Sequence, residues 1–189
     1  QNNNQIDIKL KKIKLRLDPL NFKIYAKTIG TKLIYKKKTV ELESIKTKIS
    51  LNSLIKNKFV SSNLIISTRS VLLKDLVGFM RLTTNRTELF FLEKWIEKGY
   101  AIIDIELNFD DNGEIKKDYK IKGLLRDGKI NFFNEHNFRN INFSLNIEND
   151  NFNFKKINFT NNNINFFSDN LKIKKNNKEI FVEGNIENK

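Results

Sequence analysis

The sequence predicts a mainly β fold: a long curved antiparallel sheet forming a hydrophobic groove, with two short α-helices near residues 72–82 and 88–98. Three observations predict it. Apolar and polar residues alternate with period two over most of the chain, as strands do when one face is buried and the other wet. Polar turn clusters such as Asn149-Asp150-Asn151 recur between the alternating runs, as in a meander of short connections. Only two segments of any length change to helical spacing.

In chain order, Gln1-Asn2-Asn3-Asn4 reads as a flexible lead-in (residues 1–5), and 6–189 as one β-rich domain, a piece of a longer chain. Strands are expected at about 6–17, 21–28, 31–36, 39–50 and 59–70, with a helical turn at Leu51 to Lys56. Leu72, Leu73, Leu76, Val77, Phe79 and Met80 then fall at helical spacing, as do Leu89, Leu92, Trp95 and Ile96. Gly99 is the expected stop of the second helix. Further strands are expected at about 100–110, 114–126, 128–134, 138–148, 151–159, 163–168, 170–175 and 178–187.

The stretch ELNFDDNGEIKKDYKIKG, Glu106 to Gly123, tests this reading. Around Gly113 it has the acids of a calcium loop, but position twelve of that loop falls on Tyr119, which has no carboxylate. Its flanks alternate as strands do. As a hairpin, Phe109 should oppose Ile115, Ile105 should oppose Tyr119 and Ile103 should oppose Ile121, with Lys120 opposite Asp104. Asp111, Asn112 and Gly113 then form a three-residue loop with glycine at its left-handed position.

Composition narrows the function classes. The chain is 39% hydrophobic with 16 Phe, enough to bury a core, and without cysteine it has neither disulfides nor thiolate metal sites. The net charge is +13, and residues 1–60 hold 15 Lys or Arg against 4 acids. These cations mostly occupy the polar alternates of strands, as in Ile13-Lys14-Leu15-Arg16-Leu17. A solvated face explains such a pattern first, an anionic membrane surface second and nucleic acid third. No RNA-binding aromatic motif, helix-turn-helix or zinc finger supports the last. No apolar run approaches the roughly 18 residues of a membrane-crossing helix.

Catalytic signals are thin. His136 is the only histidine and sits in a turn-like setting. No nucleophile motif or phosphate-binding glycine loop is present. Asp104 and Glu106 share a strand face and read as the wet side of the hairpin. The expectation is a non-enzymatic chain with no catalytic residues, no metal and no cofactor. A sheet of one-sided strands closes into a barrel, packs as a sandwich, is covered by helices or leaves a lined groove.

The segment VELESIKTKISLNSLIKNKFVSSNLIIST, Val40 to Thr68, resembles the AsmA-like superfamily of envelope lipid-transport proteins. GYAIIDIELNFDDNGEIKKDYKIKGLLRDGKI and VEGNIENK are similar to its continuing strands, with Asp127-Gly128-Lys129-Ile130 opening a new one. The resemblance covers most of residues 6–187. It implies a periplasmic chain, tethered to the inner membrane by an anchor outside these residues. It also implies a hydrophobic trough that passes phospholipid between inner and outer membranes, with outer-membrane or periplasmic protein partners. The expected lining is Ile103, Ile105, Leu107, Phe109, Ile121, Ile141, Phe143, Leu145 and Ile147, which contact phospholipid acyl chains. Asp104, Glu106, Asn142 and Asn146 are expected to face water. The second reading is a structural or outer-membrane-assembly module with a closed β core, and the third a basic nucleic-acid-binding module.

Overall fold

The computed structural model describes residues 7–35, 38–55, 61–83, 87–110, 112–133, 135–149, 151–175 and 179–188. The expected lead-in, Lys56 of the helical turn, residues 84–86 of the interhelical linker and Asp111 of the hairpin loop lie outside these residues. The described residues form one open antiparallel sheet of 14 strands. β5 (Lys38–Ser50) carries two neighbours along one edge, β4 (Lys32–Tyr35) at its start and β3 (Lys23–Ile29) at its end. β1 (Asp7–Lys9) continues from β4, and β2 (Lys12–Asp18) from β3.

Along the other edge of β5 the sheet continues through β6 (Ser61–Thr68), β8 (Ile96–Asn108), β9 (Lys120–Phe132) and β10 (His136–Glu148). It then passes through β11 (Asn151–Asn161) and β12 (Ile164–Lys175) to β13 (Ile180–Gly184). The short β7 (Val71–Leu72) pairs with β8, and β14 (Glu187–Asn188) with β12.

The helices are α1 (Leu51–Ile55), α2 (Leu73–Thr83) and α3 (Glu88–Trp95). The second long helix therefore ends at Trp95, three residues before the expected end at Lys98. Ile96 already pairs with Ile130 in the sheet. Gly99 does not stop a helix. It lies buried within β8 at φ +142°, where an added Cβ would meet the Gly128 Cα at 3.1 Å.

The hairpin opened by Glu106 keeps its tip and shifts its arms. Phe109 opposes Ile115 as expected, and Gly113 has φ +86°. The Asp110 carboxylate accepts from the amides of Asn112 and Glu114, both at 2.9 Å. Farther from the tip, however, Ile105 opposes Ile121, Ile103 opposes Gly123, and Asp104 faces Lys122 rather than Lys120. A turn at Lys117-Asp118 adds two residues to the second arm, and Asn108 Nδ2 donates to Asp118 Oδ2 at 3.2 Å beside it. Two extra residues preserve side-chain parity, so the predicted faces survive the slipped register.

The sequence breaks expected at residues 126–128 and 168–170 are not strand ends either: β9 and β12 run through them. In β9 the alternation skips at Arg126-Asp127, and in β10 at Arg139-Asn140. Each skip is a β-bulge, with Asp127 at φ +52° and Asn140 at φ +53°. β11 bulges at Lys155-Lys156, with Lys156 at φ +52°. Asn142 stitches this level together. Its Oδ1 accepts from the Asp127 amide at 3.0 Å, and its Nδ2 donates to Asn140 O at 2.7 Å and Asn158 Oδ1 at 2.8 Å.

The closed core is small and local. Tyr35, Val40, Leu42, Val77, Ile96, Ala101 and Leu125 are the buried apolar residues among those described, grouped where α2 packs on β5 and β8. Among the described residues the rest of the sheet has no second layer packed on it, so they do not form a sandwich.

Close backbone packing at the bulges makes a stability prediction. A Cβ at Gly128 would lie 2.9 Å from the Ile141 Cβ and 3.1 Å from the Ile141 carbonyl oxygen. Gly123 offers ordinary contact, 3.7 Å to the Leu145 Cβ. Gly128→Ala should destabilise by about 1–3 kcal/mol and lower Tm in thermal melts, whereas Gly123→Ala should change stability by less than about 0.5 kcal/mol.

Candidate functional site

Residues directly opposite one another share a sheet face, so the register itself traces the apolar wall. One row runs Ile45, Ile66, Ile105, Ile121, Ile147, Phe152, Ile173 and Val182, crossing eight strands without a polar side chain. The next runs Ile103, Gly123, Leu145, Phe154, Leu171 and Gly184. Beyond the bulges the same face continues with Ile130 opposite Phe138, whose ring contacts Phe159 at 5.8 Å. Phe159 in turn stacks on Phe166 at 5.0 Å.

Helices α2 and α3 lie over one end of this wall. Between them and β8–β10 is a cavity of about 250 Å³ whose lining side chains are all apolar, including Leu73, Val77, Leu92, Ile130 and Leu125. Its volume is just below the roughly 300 Å³ at which small-molecule pockets begin. Of the predicted lining residues, Ile103, Ile141, Phe143 and Leu145 meet in this cavity. Ile105, Ile121 and Ile147 extend the same face away from the helices, and Leu107 opposes Leu64 one row farther. Phe109 sits apart from the cavity, at its bridge with Ile115.

The sequence reading missed several contributors. Gly123 forms part of the floor, and Leu73, Val77 and Leu92 form the roof. Ile130 and Phe138 escaped because their alternation is out of phase with the residues before the bulge. Consecutive polar pairs at Arg126-Asp127 and Arg139-Asn140 are the signal that marks the phase change.

On the polar face, Glu106 lies opposite Lys120, and Lys120 opposite Glu148. The Lys120 ammonium is 2.8 Å from Glu148 Oε1, and that hydrogen bond raises its pKa. Asp104 is exposed as expected. Glu106 is half-buried and accepts from Asn63 Nδ2 at 3.1 Å, and Asn142 is committed to the bulges rather than to water. His136 is exposed at the start of β10, its ring 6.4 Å from that of Phe138. Among the described residues, no group of three or more acidic or histidine side chains has a metal-binding arrangement, and no helix is long and apolar enough to cross a membrane.

A charge cluster fastens the roof to the sheet. Glu93 of α3 accepts from Arg81 Nε of α2 at 2.6 Å and lies 3.2 Å from Lys38 Nζ of β5, which also reaches Asp75 at 3.5 Å. Partial burial alone raises the Glu93 pKa, but the bonds from Arg81 and Lys38 outweigh it and hold the group below its ordinary value near 4.5. Comparison with protein-family models, curated proteins and solved structures finds no match to this chain.

The sign of that shift gives a pH prediction. Because the folded value is depressed, the stabilisation from Glu93 is complete above pH 4.5 and is lost as pH falls through the depressed value. Trp95, the only tryptophan, ends the same helix and packs on Phe132 at 4.3 Å. Its fluorescence should shift on acidification below about pH 4.5. Glu93→Gln should show part of the shift already at neutral pH, with a loss of about 1–3 kcal/mol in urea melts.

Proposed function

We propose that this chain is a non-enzymatic segment of an envelope-spanning AsmA-like protein, which holds phospholipid acyl chains against its sheet and passes them between inner and outer membranes. The observation that supports the reading is the apolar row from Ile45 to Val182, which lies on a wall that the chain's own helices roof at one end only. Such a wall offers a linear molecule continuous contact without hydrogen-bonding partners, as acyl chains require. Burial gains about 0.8 kcal/mol per methylene, so roughly ten methylenes offset the cost of ordering a lipid. Sliding along the row exchanges one apolar contact for another, so no step is strongly preferred.

A photo-crosslinking residue at Ile105 or Phe143 should capture phospholipid in cells, and the same residue at Asp104 or Asn146 should not. Gly123→Leu, projecting from the floor into the cavity, should reduce capture at Phe143 severalfold. Capture of protein alone at the apolar positions would favour the closed structural module, and equal capture on both faces would mean non-specific membrane contact.

A further inference from the structure

The β2–β3 hairpin at the edge of the sheet joins a ladder of like charges on one face to exposed apolar side chains on the other. On its polar face Lys14 lies opposite Lys27, and Lys27 opposite Lys46 of β5. The adjacent row is Arg16, Tyr25 and Lys48, with the Arg16 guanidinium 4.7 Å from the Tyr25 ring centre. Like charges directly opposite destabilise a sheet. The row that continues from Lys46 avoids this, since Glu106, Lys120 and Glu148 alternate in sign across β8, β9 and β10. Where Lys98 opposes Lys129, the Glu97 carboxylate pairs with Lys129. The cationic strip lines a hollow of about 480 Å³.

The other face of the hairpin is apolar and open to water. Leu15 is 69% exposed, with Ile13 and Leu17 beside it. At the tip Leu20 is 91% exposed and Phe22 about half exposed. The Leu51 amide of α1 donates to Phe22 O at 2.9 Å, which fixes α1 beside the tip, and its Ile55 is 80% exposed. Asn21 closes the turn through its amide and side chain, at 3.1 and 3.0 Å to the Asp18 carboxylate.

A nucleic acid would neutralise the cations but leave Leu20, Phe22 and Ile55 in water. A bilayer surface rich in anionic lipid accommodates both, with phosphates at the cations and the apolar tip below the headgroups. At about 3.3 Å per residue, Arg16 and Lys14 stand roughly 7 and 13 Å behind the end of the strand at Asp18. At physiological salt the field reaches about 8 Å, so Arg16 senses the surface directly and Lys14 more weakly. We propose that the β2–β3 hairpin, with α1 beside its tip, docks on the surface of a bilayer containing anionic phospholipid. The docking requires no lipid to move along the sheet and stands apart from the conduit reading.

The test is sedimentation of the 189-residue chain with vesicles of phosphatidylcholine alone or with about 30% phosphatidylglycerol. Binding should depend on the anionic lipid. It should fall at least about tenfold in Leu20→Asp/Phe22→Asn and severalfold in Lys14→Gln/Lys27→Gln/Lys46→Gln, whose row stands farther from the surface. The triple glutamine variant removes like-charge contacts, so its melting temperature should hold or rise, which separates lost docking from lost folding. No binding to anionic vesicles, equal binding to both compositions, or tip variants that bind as well as the parent chain would each overturn the proposal. So would preferential binding of single-stranded DNA with the tip dispensable. Capture of detergent-dispersed phospholipid at Ile105, measured on the same hairpin variants, should persist. Its loss in the parent chain would count against the conduit alone.

Discussion

Strands β9, β10 and β11 each insert one residue at a common level of the sheet, and the continuity of the apolar wall depends on that shared step. An extra residue not absorbed as a bulge would turn the remaining side chains of its strand to the opposite face. Here Asp127, Asn140 and Lys156 take left-handed conformations in three successive strands, and the register shifts compensate pairwise. The phase of the sequence changes while the face does not. Ile121 to Leu125 and Ile130 therefore end on one side of β9, although their positions differ by an odd step. The three-way hydrogen bonding of Asn142 supports residues that are not glycine at positive φ, where local side-chain partners offset the conformational cost.

That step also explains where the helices sit. The bulged strands bring Gly99 and Gly128 into close backbone contact, and the hollow beside them is roofed by Leu73, Val77 and Leu92. The Arg81, Lys38 and Glu93 cluster sets the roof from the polar side of the helices, so the apolar side faces the sheet without a polar atom entering the cavity. α3 contributes no buried residue, and Phe90 and Phe91 stay exposed beside Trp95. Its contacts with the sheet side include Leu92 over the cavity, Glu93 at Lys38, and Trp95 against the Phe132 and Phe133 rings.

The sheet class, the meander and the faces were legible because a period-two pattern is written directly in residue type. Registers were less legible. The hairpin tip was fixed by Gly113, but the turn at Lys117-Asp118 has no glycine or proline, and its two extra residues slipped the arms. The helical spacing overruns the second helix because Ile96 satisfies both that spacing and the strand that follows. Paired polar residues at Asp127 and Asp169 resemble turns in the sequence, whereas β9 absorbs Asp127 as a bulge and β12 runs on through Asp169. The roof could not be derived from spacing alone, since neither helical pattern specifies which strands it covers.

The two ends of the wall follow different physical rules. Beneath α2, burial is completed within the chain, and Ile96, Ala101 and Leu125 are closed from water. Toward Ile105, Ile121 and Ile147, side chains are shielded by their sheet neighbours and remain half-buried, which lowers the cost of exposure without removing it. At the β2 edge even that shielding is lost on one side, and apolar exposure rises there together with like-charge repulsion on the opposite face. Between the hollow and the β2 edge both costs rise together, through a shielded wall to an exposed cationic edge, and at the opposite edge Ile180 and Val182 of β13 are exposed as well. A chain selected only for a closed core would relieve the edge first, since a single glutamate on β3 would break the lysine ladder and a polar tip would cost nothing in packing. The cations and the apolar tip remain together at the β2–β3 edge, where the closed core draws on neither.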